Sequence, residues 1–292
     1  MFALVTIITC AIFFEEIKVS VDSMYRKKKQ KIVVFDLDET LGHFTELAMF
    51  WDSIKEIEPS LDTPQHFYQV MDLYPEFVRP HIRLILKLIY DNKKAKRCDR
   101  LIIYTNNQGP KRWTQLIAGY FQHKLQTSVP LFDNIIATYK YNNKIVEKRR
   151  TTHNKTVGDI VRCTNIPKNS DVCFVDDQFH PYMKDERVLY LNIKPFTCSM
   201  PFNTMALRYY NKYGCRQQTI KSITKPDFIK LINQQMSRYN YKVFEKSNIE
   251  KKVDVVIGKH IYNNIKKFLN PNTRKMRRRK NKTKKTRVKS LF

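Results

Sequence analysis

None of the six cysteines, Cys10, Cys98, Cys163, Cys173, Cys198 and Cys215, belongs to a C-x-x-C pair, and no histidine cluster accompanies them. That pattern argues against a zinc site. It gives no sign of a secreted disulfide framework either, which favours a reducing compartment, the nucleus or cytoplasm of a cell. A membrane-length apolar run is also missing from the N-terminus. Phe2 to Phe14 is apolar for thirteen residues and then meets Glu15-Glu16, which is short for a span. A basic segment ahead of that run, as a signal peptide needs, is absent. The expectation is that Met24 is a biologically relevant start, so that residues 1–23 are an apolar extension. A membrane anchor, or an extra strand or helix on the core, are the alternatives. Internal repeats are absent. Acidic residues are scarce: 27 Asp and Glu face 54 Lys and Arg, for a net charge of +27. Eleven cations and no acid lie between Arg274 and Lys289, and subtracting them leaves +16 on the rest. Such a surface favours polyanions, whether nucleic acid, phosphorylated peptide or an acidic membrane face. The segment 271–292 has almost no apolar residue. It reads as a disordered basic tail, either a nucleic-acid-binding or nuclear-localisation arm or a solubilising extension.

What the chain does have is enough apolar matter for a core, 42% hydrophobic and 12% aromatic residues. Its most informative run is Lys31-Ile-Val-Val-Phe-Asp36-Leu-Asp38-Glu-Thr40-Leu41. Ile32 to Phe35 has the composition of a buried strand. It ends in two aspartates, and positions i and i+2 of an extended chain face one side. Two close carboxylates stay ionised only with a cation or proton between them. A divalent metal and one proton-handling aspartate would satisfy both, which is equipment for phosphoryl chemistry.

Further strands are expected at 100–104, 131–139, 171–175 and 188–192, alternating with helices after Pro80, after Gly109-Pro110 and over Lys155 to Arg162. Polar groups stand at successive strand ends: Thr105-Asn106-Asn107 after the second, Asp176-Asp177 after the fourth. Strand–helix alternation of this kind argues for an α/β fold, a three-layer Rossmann-like parallel sheet. Residues 42–76, with Pro59, Pro64 and Pro75, read as a small irregular insertion over the site. Lys140 to Arg150 reads as a basic loop. Residues 200–270 read as a helical extension, with helices over Asp227 to Tyr239 and Ile257 to Leu269. The main domain is thus placed at 24–199.

The run Asp-Leu-Asp-Glu-Thr-Leu resembles motif one of the haloacid-dehalogenase superfamily of phosphohydrolases. With His43 and Arg79-Pro80-His81 it is most similar to the branch of RNA polymerase C-terminal-domain phosphatases. The resemblance covers roughly residues 31–196. It implies that Asp36 is the nucleophile, forming an aspartyl-phosphate, and that Asp38 is the general acid and base, its backbone carbonyl also binding metal. It implies phosphate contacts from Thr105, Asn106 and Lys155, with Lys144 and Lys148 as rival lysines. It implies a Mg2+ site built from Asp36, Asp38, Asp176 and Asp177. The branch usually carries Asp-Asn where this chain has Asp176-Asp177, and Thr-Ala-Ser where it has Thr105-Asn106-Asn107. Phe50, Trp51, Phe67 and Tyr68 are either core or a proline-binding pocket. The expected activity is a Mg2+-dependent protein serine/threonine phosphatase acting on a phosphorylated protein or peptide. A polynucleotide or nucleotide phosphatase is the first alternative, and a non-enzymatic basic nucleic-acid-binding protein the second. Abundant Lys, Asn and Ile with only six Gly match an AT-rich genome and, beside the resemblance, a large DNA virus or AT-rich eukaryote.

Overall fold

In the computed structural model the described residues are 29–270. The chain divides into two units, Met1–Gln30 and Lys31–Phe292. The apolar extension, the alternative start at Met24 and the basic tail lie outside the described residues.

Five strands form one parallel sheet: β1 (Lys31–Phe35), β2 (Arg100–Tyr104), β3 (Asn134–Ile136), β6 (Asp171–Asp176) and β7 (Val188–Asn192). Their spatial order is β3-β2-β1-β6-β7. A short antiparallel hairpin, β4 (Lys140–Tyr141) and β5 (Lys144–Ile145), stands apart from the sheet. β1 is central, paired with β2 on one side and β6 on the other. The chain runs outward from β1 to β3 and then returns to build β6 and β7 on the opposite side. This makes the carboxyl ends of β1 and β6 a topological switch point, where open α/β sheets hold their ligands.

Strand alternation sorts the core onto two faces. Val33 and Phe35 join the larger apolar cluster, while Ile32 and Val34 join the smaller one. All four are fully buried, each contributing at most about 1.5–3 kcal/mol of apolar burial. The smaller face is covered by α5 (Val157–Thr164) through Ile160. The larger face carries α1 (Thr45–Ile57), α2 (Pro64–Leu73), α3 (Ile82–Lys94), α4 (Lys111–Lys124), α6 (Phe202–Tyr213), α7 (Lys225–Ser237) and α8 (Asn248–Leu269). The last three are not peripheral: Tyr209, Phe228, Ile232, Ile261 and Ile265 are buried in that cluster. Among the described residues no helix is long and apolar enough to cross a membrane.

Several local expectations are corrected. Residues 42–76 are helical, not irregular, because Leu47, Phe50, Trp51 and Ile54 recur at helical spacing and are buried. Their prolines start elements: Pro59 and Pro75 open 3-10 turns, and Pro64 opens α2 under an Oγ1 cap from Thr63, as a missing N–H permits at a first turn. Pro80 does not open α3; His81 intervenes with φ 67°, and the helix begins at Ile82. The basic loop 140–150 contains the β4–β5 hairpin. α8 begins nine residues before Ile257, where Ser247 and Glu250 form a capping box. Phe50, Trp51 and Phe67 are buried and Tyr68 packs against the same cluster, so these aromatics are core.

Candidate functional site

Asp36 continues the ladder past β1, its N–H donating to the Val175 carbonyl at 3.0 Å. The chain then leaves the sheet and folds on itself: Leu41 N–H returns to Leu37 O at 2.9 Å and Glu39 N–H to Gly42 O at 2.7 Å. Glu39 adopts a left-handed φ of 56°. Gly42 is required by closeness, since a Cβ there would lie 2.4 Å from the Phe77 carbonyl oxygen. Buried Arg79 holds this loop from beneath. Its Nε donates to Thr40 O at 2.8 Å, and its Nη2 to Glu39 O at 2.5 Å and Lys194 O at 2.9 Å.

Three carboxylates gather at the switch point. Asp36, Asp176 and Asp177 each offer an oxygen, all within 4.8 Å of one another. Lys155 Nζ is buried between two of them, 2.5 Å from Asp36 Oδ1 and 2.7 Å from Asp176 Oδ2. It lies 5.6 Å from the Tyr104 ring centre and 5.9 Å from that of Phe174. Asp177 is tied to the β1 loop, with Thr40 Oγ1 donating to its Oδ1 at 3.0 Å. Burial raises the Asp36 carboxyl to about 7, against the opposing pull of Lys155. Asp176 is also penalised by burial, yet contacts from His180 and Lys155 hold it below the usual carboxylate range. Lys155 loses solvation but is pushed up by Asp36 and Asp176. The net arrangement is one cation against three acids, which leaves room for more positive charge. The donors are all carboxylate oxygens, which suits a hard divalent cation such as Mg2+.

Asp38 lies next to this group, near enough that its charge adds to burial in raising the Asp36 carboxyl. Its side chain is not in the three-carboxylate group, because the strand ends at Phe35 and the two-residue alternation does not continue. Instead its Oδ2 accepts from Asn107 Nδ2 at 2.6 Å. Burial raises its carboxyl above the ordinary value. Thr105, buried at the end of β2, accepts the Asn107 N–H on its Oγ1 at 2.9 Å. Asn106 Oδ1 accepts from Arg150 Nη2 at 2.8 Å. Lys155 is the lysine that reaches the aspartates, while Lys144 and Lys148 are exposed. It precedes α5, capped by Thr156, instead of beginning the helix. His43 is buried, its Nδ1 2.6 Å from the Cys198 carbonyl.

Sequence reasoning missed three supporting residues. Asn107 orients Asp38. Buried Arg150 donates to Thr105 O at 3.1 Å and Ala137 O at 2.8 Å, joining the ends of β2 and β3. His180 Nε2 lies 3.4 Å from Asp176 Oδ2. Asn107 was legible as a polar residue after a strand. Arg150 was missed because the carbonyls it joins lie 13 and 45 residues away along the chain. His180 is only four residues from Asp176, but it lies in an irregular turn after β6 where no periodicity sets side-chain direction.

No protein-family model matches the chain, and neither a curated protein nor a solved structure matches it.

Proposed function

We propose that the protein is a divalent-metal-dependent phosphomonoester hydrolase of the haloacid-dehalogenase type, working through an aspartyl-phosphate on Asp36. The observation that carries this reading is Lys155 Nζ held between Asp36 and Asp176, with Asp177 beside them, at the carboxyl ends of β1 and β6. A buried nucleophile, a cation and a hard-metal donor set at one point are what phosphoryl transfer needs.

Asp36, Asp176 and Asp177 would hold the metal. Once bound, it supplies positive charge against the phosphoryl oxygens and lets the clustered carboxylates remain ionised. In the first step an Asp36 oxygen bonds to phosphorus as the ester P–O bond breaks, and the leaving oxygen takes its proton from Asp38. The raised carboxyl of Asp38 suits it to carry that proton, and Asn107 holds it in place. In the second step Asp38 accepts a proton from water as the water oxygen bonds to phosphorus, releasing inorganic phosphate and restoring Asp36. Lys155, Thr105 and Asn106 neutralise and orient the phosphoryl oxygens.

The resemblance points to a phosphoserine or phosphothreonine protein as substrate. One observation weakens that: the aromatics 50, 51, 67 and 68, available in principle for a peptide pocket, are spent in the core. A phosphorylated polynucleotide is therefore the second reading, taken up below.

The test is phosphate release from a small aryl phosphate, with and without Mg2+, for the parent and Asp36→Asn. Mg2+-dependent release in the parent, lost by at least about 1,000-fold in the variant, is expected when a covalent nucleophile is removed. Equal activity in both would exclude Asp36 as nucleophile.

A further inference from the structure

The β4–β5 hairpin has no role in the chemistry above, yet it adjoins the site. Arg150 ties the Ala137 carbonyl, at the foot of the hairpin, to that of Thr105. Gln108 Nε2 donates to Thr138 Oγ1 at 3.1 Å from the other side. A small cavity of about 100 Å³ is lined jointly by Thr105 and Asn107 of the site and by Tyr141 and Val146 of the hairpin.

The hairpin's own composition is unusual for a solvated turn. Its tip, Asn142-Asn143, has φ of 46° and 61°, the double left-handed geometry of a tight hairpin turn, so the projection is preformed. Tyr141, Ile145 and Val146 are 44%, 52% and 43% exposed. The register pairs Tyr141 with Lys144 and Lys140 with Ile145, so each face of the hairpin carries an apolar side chain beside a cation, with Lys148 further along the chain and Lys111 across the cavity. None of the four forms an ion pair among the described residues. Residues 140–150 contain a single acid, Glu147.

We propose that this hairpin is a subsite for a single-stranded polynucleotide whose terminal phosphate enters the aspartate site. The proposal rests on the phosphohydrolase reading and names its substrate class. Cations without carboxylate partners match a chain with one negative charge per nucleotide. An exposed tyrosine with Lys144 directly across the hairpin and Val146 at the same cavity matches a base face beside its phosphate, as on the stacking platforms of single-strand binders. The cavity is too small to swallow a base, so the base adjacent to the scissile phosphate lies on Tyr141, outside it. A phosphopeptide could meet the cations, but it brings neither a base for the ring nor a charge at every residue.

The experiment uses the full chain and a terminally phosphorylated DNA oligonucleotide, prepared with the phosphate at either end, carrying 2-aminopurine beside it. Stacking on Tyr141 changes the 2-aminopurine emission. That response should persist in Tyr141→Phe and vanish in Tyr141→Ala, although the charged tail is intact in both. Tyr141→Ala should lower the ratio of oligonucleotide to aryl phosphate kcat/KM by about tenfold. Replacing Lys144 and Lys148 with Ala should reduce the salt slope of binding by about 0.7 per lysine. An emission response unchanged in Tyr141→Ala overturns the subsite. So does a phosphoserine peptide hydrolysed in preference to both oligonucleotides. Failure of the chemistry itself is distinguishable: aryl phosphate would then be untouched, while the emission response still reports on the hairpin.

Discussion

Arg79 Nε donates to the Thr40 carbonyl at 2.8 Å, so a residue just ahead of α3 fixes the backbone that presents Asp38 and Thr40. The same guanidinium satisfies the carbonyls of Glu39 and Lys194. Its removal would strand the Thr40 and Lys194 carbonyl oxygens and leave the left-handed Glu39 held at its carbonyl only by the Phe196 N–H. Arg79→Ala is therefore expected to cost about 3–5 kcal/mol in urea denaturation, the range for breaking a buried charged network. Arg79→Lys keeps the charge but not the planar fork, and should recover only part of the loss. A cost below about 1 kcal/mol for Arg79→Ala would show that the loop holds itself.

Metal binding should appear as stability. A ligand at about 100 times its Kd adds roughly 2.7 kcal/mol, or about 5–10 °C in Tm for a chain of this size. Mg2+ should raise the Tm of the parent by that amount and leave Asp177→Asn almost unmoved. Without Mg2+, Asp177→Asn should be no less stable than the parent, since burial already raises the Asp177 carboxyl. A full Mg2+ shift in the variant would remove Asp177 from the donor set.

Glu46 supplies a pH dependence remote from the aspartates. It is fully buried, and burial raises its carboxyl from 4.5 to about 7, opposed by donors at Met200 N and Ser199 Oγ. A carboxyl raised in the folded state binds its proton more tightly there than when unfolded. Its contribution is thus present below about 4.5 and lost as pH rises through about 7. The loss is on the order of 2–3 kcal/mol. Glu46→Gln keeps an acceptor and cannot ionise. Urea midpoints between pH 5 and 8 should fall in the parent and stay flatter in the variant; parallel curves would contradict this.

Gly258 tests the α3–α8 contact. Alanine is favoured over glycine in a free helix by up to about 1 kcal/mol. Here the added Cβ would sit 2.4 Å from the Pro80 carbonyl oxygen, a backbone atom that cannot step aside. Overpacking should win, and Gly258→Ala should destabilise by about 1–3 kcal/mol. Stabilisation would show that α8 can move away from the turn before α3.

Much of the plan was legible along the chain because it is written in local periodicity. Ile32 to Phe35, Leu101 to Tyr104 and Val172 to Val175 are apolar runs of strand length that end in Asp36, Thr105 and Asp176, and each became a sheet strand with its polar residue at the carboxyl end. The helical 42–76 region was misjudged because its prolines resemble loop punctuation, whereas each sits at an element start. The helix start at Asn248 was missed because its capping box precedes a stretch with little apolar weight.

The sequence by itself determined the α/β alternation, the parallel sheet and the residues at its strand ends, since those follow from side-chain period and chain polarity. Which acids meet was decided only by the fold. Strand order sets β6 beside β1, so Asp176 and Asp177 join Asp36, while the end of the strand at Phe35 turns Asp38 toward Asn107. The choice of Lys155 among many lysines was likewise tertiary. A lone ammonium finds a buried place only where two carboxylates offset its lost hydration, and that pairing spans 119 residues of chain.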